Sequence, residues 1–185
     1  MAEEPLPTID AKSASMWDEQ ANALLREWRQ RVAAASEAHY NLASALRRYN
    51  TRLGVPAVFL SSAVGTTLFA TLTDPTQLLK PWIAIAAGSV SVLAAALSAL
   101  QTFLRFSERA EKHVVAADWY SAIRRDLDQL LALAPEERGR PKDCFDRIRK
   151  EMSKVGQQSP EIGDRMWDAV AARYGLATRG TPAAL

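Results

Sequence analysis

The stretch from Leu53 to Leu104, LGVPAVFLSSAVGTTLFATLTDPTQLLKPWIAIAAGSVSVLAAALSALQTFL, decides the fold. It holds 21 residues without a charge, Leu53 to Thr73, and 24 more, Pro81 to Leu104. A helix rises about 1.5 Å per residue, so each run is long enough to cross a hydrocarbon core of about 30 Å. A soluble helix of this length normally keeps a polar face, and neither run carries Asp, Glu, Lys, Arg or His. The hydroxyls of Ser61, Ser62, Thr66, Thr67, Ser89, Ser91, Ser98 and Thr102 are compatible with lipid, because each can bond back to the i−4 carbonyl. The connector between the runs, Asp74 to Lys80, is short, so the two helices are expected to run antiparallel.

Basic residues set the expected orientation. Arg47, Arg48 and Arg52 precede the first span, Arg105, Arg109 and Lys112 follow the second, and the connector has only Lys80. Both termini are therefore expected in the cytoplasm. Bulk composition hides this organisation: 48% hydrophobic and 24% charged residues would suit a soluble domain, because the apolar residues are concentrated in the middle. A net charge of +2 is too balanced to suggest nucleic-acid binding. The acidic start MAEEPLPTID is not a secretory signal, so insertion is assigned to the internal spans.

Outside the spans the reading is helical throughout. Residues 1–14 are expected to be loose, and 15–52 to form a cytoplasmic amphipathic helix. Its stripe is Trp17, Ala21, Leu24, Leu25, Trp28 and Val32. Gly54 and Pro56 predict a kink where this helix meets the membrane. From Gly88 to Pro135 there is no Gly or Pro, which predicts an unbroken helix whose cytoplasmic continuation, 105–134, packs on the first helix as an antiparallel stalk. Trp119, Ile123, Leu127, Leu130 and Leu131 form its stripe. Short helices over Asp143–Val155 and Ile162–Tyr174 fill the C-terminal region 135–174, and 175–185 is expected to be a loose tail. The fold class is all-α: a two-helix transmembrane hairpin (53–104, with spans 53–73 and 81–104) carrying long cytoplasmic extensions.

The chain lacks GxGxxG, P-loop and GxSxG motifs, and one cysteine, Cys144, excludes an internal disulfide. Cys144 has Lys142 nearby but no local His, so no catalytic thiol, cofactor or metal cluster is expected, nor any enzyme activity. The basic run Arg147, Arg149, Lys150 and Lys154 suits lipid headgroups or a nucleotide, and equally a solvated helix face. His39 and His113 would meet if their helices pair, giving either a metal- or proton-binding pair or two separately bonded interface residues. Tyr40, Trp119 and Tyr120 complete the candidate stalk interface.

The most informative pattern is a small-residue seam in the second span: Ala84, Gly88, Ser91, Ala95, Ser98 and Thr102. Helices in lipid associate through close packing of small side chains. The seam must face the first span near Ser61 and Gly65, a second copy of the chain, or a water-filled path. A pore so lined would be poorly ion-selective, for want of charged rings or organised carbonyls.

These segments resemble the SLATT domains. The resemblance rests on Ala38-His39-Tyr40, Arg47-Arg48-Tyr49-Asn50 and Gly54-Val55-Pro56 ahead of the first span. After it come Ser91-Val92-Leu93, Leu100-Gln101-Thr102-Phe103-Leu104, Glu108-Arg109-Ala110-Glu111-Lys112-His113 and Trp119-Tyr120, then Ser159-Pro160-Glu161-Ile162 with Trp167. It covers about 36 to 170. The resemblance implies an effector of bacterial anti-phage defence that homo-oligomerises into a pore in the inner membrane and kills the infected cell. It also implies a separately encoded sensor partner, a nucleotidyltransferase or reverse transcriptase. The alternative left open by the residues is a non-conducting membrane scaffold that docks a soluble partner.

Overall fold

A computed structural model describes residues 17–73 and 81–178. Every regular element among them is a helix. Helix α1 is Glu19–Thr73, α2 Pro81–Leu104, α3 Phe106–Ala132, α4 Pro141–Gln158 and α5 Asp164–Ala171, with 3₁₀ turns at Pro135–Glu137 and Ala172–Tyr174. The connector 74–80 and the N-terminal residues read as loose lie outside the described residues.

The chain divides into two compact units. The first comprises residues up to Leu42 and from Lys112 onward. Its core joins Trp17, Leu25 and Val32 of the α1 stripe to Ile123, Leu127 and Leu130 of α3 and to Ile148 and Val155 of α4. Leu25, Leu127 and Ile148 are wholly buried. Phe145 of α4 is the wedge, tilted against Trp17 and edge-on to Trp28 at centroid distances of 5.8 and 5.5 Å. Arg138 secures the α3–α4 turn: it donates to the terminal carbonyls of Leu131 and Leu133 and to Asn22, and lies over the Trp17 ring. Those carbonyls have no intrahelical partner, so a guanidinium there serves both hydrogen bonding and the helix dipole. A second cluster seats Ile162 and Val170 on Ala34 and Ala38 of α1. The first residues of the segment read as a loose tail pack on this unit, and residues 179–185 of it lie outside the described residues. Gly175 adopts a left-handed φ of 65°, Leu176 N–H bonds Ala171 O at 3.0 Å, and Leu176 packs into this cluster.

The second unit, Ala43–Glu111, pairs the later part of α1 with α2. The Asn50–Gln101 hydrogen bond, and Gly65 and Ser91 lining one cleft, show the two running antiparallel. One expectation about continuity is reversed here. Helix α1 runs through Gly54, Val55 and Pro56 unbroken. Proline forfeits one N–H bond, but its fixed φ is helical, and a long helix absorbs a single lost bond. The break falls instead in the run read as continuous, at Arg105, whose φ of 46° is the only left-handed non-glycine conformation among the described residues. Arg105 ends α2 in the position glycine usually takes, and its carbonyl accepts the first bond of the following helix, from Arg109 N–H at 3.0 Å. Its ion pair with Glu108 is exposed and contributes little. Arg105→Gly is therefore expected to stabilise the protein by about 1 kcal/mol, seen as a higher melting temperature in detergent micelles.

Candidate functional site

The second unit leaves its apolar residues uncovered. Phe59, Phe69, Trp82, Ile85, Val92 and Phe103 are each at least 66% exposed. Between Leu53 and Leu104, Ala57 and Ala94 are the buried apolar residues among those described. One helical stretch, beginning at Ala84, is long and apolar enough to cross a membrane, and 6% of its most apolar window is buried. The core helix of a soluble protein would be mostly buried. Apolar surface on this scale is found at membrane or partner contacts. Several hydroxyls within it are satisfied locally: Ser62, Thr66, Ser89, Ser91 and Thr102 each donate to the i−4 carbonyl at 2.9–3.0 Å.

The small-residue seam occupies the edge of the α1–α2 contact. Ser91, Ala95 and Ser98 wall a cleft of about 330 Å³ whose opposite side is Ser61, Val64 and Gly65. Ala87 and Val90 line a neighbouring groove with Ala63, Val64 and Thr67. Ala94, at 4% exposure, is the seam's buried neighbour, while Gly88, Ala95, Ser98 and Thr102 are exposed and Ser91 is half-buried. Gly65 and Gly88 each face open space, with nothing within 4 Å of a would-be Cβ. The seam thus borders the intrachain contact and leaves most of its surface free.

Near the Arg105 end of this unit, Gln101 Nε2 donates to Asn50 Oδ1 at 3.0 Å. Gly54 permits this bridge, since a Cβ there would lie 2.9 Å from the Gln101 amide nitrogen. Gln101→Leu removes the amide that donates to Asn50 and is expected to destabilise the pair by about 1 kcal/mol, measurable by unfolding in mixed micelles. Asn50 and Gln101 both stood in the segments that carry the family resemblance. Their partnership becomes visible only with the register known.

In the first unit α1 and α3 meet through a belt of polar groups between their apolar stripes. Ser36 donates to Ala117 O at 3.1 Å and lies 2.8 Å from Ser121 Oγ, so Ser121 is the donor of that pair. His39 and His113, 74 residues apart in the chain, meet at 2.9 Å through their Nδ1 atoms, at 1% and 7% exposure. Tyr120 stacks on His39 with a 5.6 Å centroid separation, and the Tyr40 hydroxyl donates to Asp118. Trp119 does not join this belt; it is 39% exposed and lines a groove of about 280 Å³ with Ile123, Glu151, Lys154 and Val155. Burial first, and the neighbouring His113 charge second, lower the His39 value to about 4. Folding therefore disfavours the proton that the unfolded chain binds near pH 6.5. This contribution to stability is complete above that pH and is lost as the pH falls towards 4.

No described cluster of three or more His, Cys, Asp or Glu could hold a metal ion. Cys144 is half-buried and its thiol donates to Arg138 O at 3.0 Å, a structural contact in the turn. The basic run on α4 is partly paired, Arg147 with Asp126 and Glu151, and Arg149 with Asp146.

An all-helical chain with an uncovered apolar helix and a separate polar helical unit is a membrane-protein design. The chain belongs to the SMODS and SLOG-associating 2TM effector domain family 4, one of the SLATT families, whose model matches residues 22–162. That family comprises two-transmembrane effector domains, which makes the chain a membrane effector of conflict systems. No curated protein and no solved structure matches the chain.

Proposed function

We propose that the chain crosses the bacterial inner membrane twice, with both termini in the cytoplasm, and oligomerises with copies of itself into a pore that disrupts the membrane. The observation carrying this reading is the uncovered apolar surface of α2, bordered by a small-residue seam that the partner helix leaves largely open. Lipid accounts for the large apolar side chains. Close approach of another helix accounts for Gly88, Ser91, Ala95, Ser98 and Thr102, because small side chains gain contact only when backbones come near. The hydroxyls would then be the wetting groups of a weakly selective path. A sensor encoded elsewhere, in keeping with an effector family, would supply the trigger.

Expression in bacteria carrying a potential-sensitive dye tests the proposal. Depolarisation is expected once the neighbouring genes and phage are supplied. Polarised membranes under those conditions would count against a pore. The groove beside Trp119 favours a second reading, a scaffold that docks a soluble protein. Silent bilayer recordings together with one stoichiometric partner would support it.

A further inference from the structure

The His39–His113 contact has a geometry that distinguishes two uses of a histidine pair. The Nδ1 atoms are 2.9 Å apart while the ring centroids are 5.2 Å apart, so the rings meet nose to nose. Their lone-pair directions lie along the line joining them. A shared metal would need those directions to converge on a point off that line. The contact is therefore a hydrogen bond, in which one ring donates Nδ1–H and the other accepts with a bare Nδ1.

We propose that His39 and His113 form a proton latch, which adds its Nδ1–H···Nδ1 bond to the Ser36 and Tyr40 contacts and the apolar core between α1 and α3, and opens the unit when acidification loads a further proton. At neutral pH each ring carries one proton, on Nδ1 in the donor and on Nε2 in the acceptor. A first added proton goes to the donor's Nε2; the bond survives, but a charge is now buried in the interface. The second must go to the acceptor's Nδ1. Two N–H groups then point at each other and two cations share one buried site, so the contact becomes repulsive.

Several charged groups on the packed elements have partners of their own. On α1, Glu37 accepts from Tyr174 at 2.9 Å and pairs with Arg173 at 2.6 Å, both from the C-terminal segment. Across the interface, Tyr40 of α1 donates to Asp118 of α3. Glu151 and Lys154 of α4 line the groove beside Trp119. Tyr120 covers the His39 ring face.

The test uses the full chain in lipid nanodiscs, with Cys144→Ser and spin labels at Gln30→Cys and Gln129→Cys, exposed positions on α1 and α3. The expected result is a short label distance at neutral pH that gives way to a longer one, in most molecules, as the pH falls below about 5. Imidazole NMR of the unlabelled wild-type chain is expected to show His39 titrating well below the ordinary value of about 6.5. The variant His39→Gln/His113→Gln, whose amides can bond without titrating, is expected to hold the short distance across the same range. Three results would overturn the latch: an ordinary titration of both rings, a wild-type distance that ignores pH, or equal opening in the double variant. If that variant fails to fold, the wild-type titration and distance decide. Zinc that holds the wild-type distance short in acid would show chelation, which also overturns the proposal.

Discussion

If the chain forms the proposed pore, replacing Ser91 and Ser98 by leucine is expected to leave insertion and folding as before but to abolish depolarisation. In the single chain Ser98 is exposed and Ser91 half-buried at the edge of an open cleft, so leucine displaces no packed core there. The effect falls on association with another copy. Two leucines fill the cleft opposite Ser61 and Gly65 and hold an approaching helix away, which removes the short-range contacts on which helix pairing in lipid depends. Ser91→Ala/Ser98→Ala separates packing from wetting. It keeps the surface small but removes both hydroxyls, so assembly is expected to persist while conductance falls. The readout pairs the potential-sensitive dye with crosslinking of membranes. Full depolarisation by the leucine variant would move the pore away from this seam.

Leu127→Ala is expected to cost the first unit about 2–5 kcal/mol, the usual range when leucine is truncated in a closed core. Leu127 has no exposed surface and stands in one cluster with Leu25 of α1 and Ile148 of α4, so the void would open where three helices meet. Val115→Ala, at 40% exposure on the same helix, is the control and is expected to change stability by under about 0.5 kcal/mol. Circular dichroism melts in detergent give both values. Equal losses would mean that α3 does not pack as described.

The apolar stripes were readable because helical periodicity reports directly on burial. Trp17, Leu25, Val32, Ile123 and Leu127, chosen by spacing, all lie in the core. Trp119, chosen by the same spacing, marks where that inference fails, since it stands at the rim of a groove. The continuity of the helices was not readable. Pro56 is a strong local breaker, yet its helix is long enough on both sides to carry it. Arg105 has no glycine signature in the sequence, yet it takes the left-handed turn; the next residue, Phe106, stacks on Tyr49 with a centroid separation of 6.1 Å. The candidate site was legible in part. The seam could be listed residue by residue, but which of its positions face α1 depends on a rotation of α2 that the repeat leaves undetermined. The histidines could be paired only by supposing a stalk register, and the Ser36–Ser121 and Asn50–Gln101 contacts needed that register as well.

The proposed pore requires the chain to cross the membrane twice with its connector outside. Labelling of intact cells with a membrane-impermeant maleimide, in a Cys144→Ser background, tests this directly. Gln77→Cys is expected to label from outside, while Ser107→Cys labels only after the cells are opened. Labelling of Ser107→Cys in intact cells, or failure of Gln77→Cys to label until the membrane is breached, would contradict the hairpin and the pore built on it.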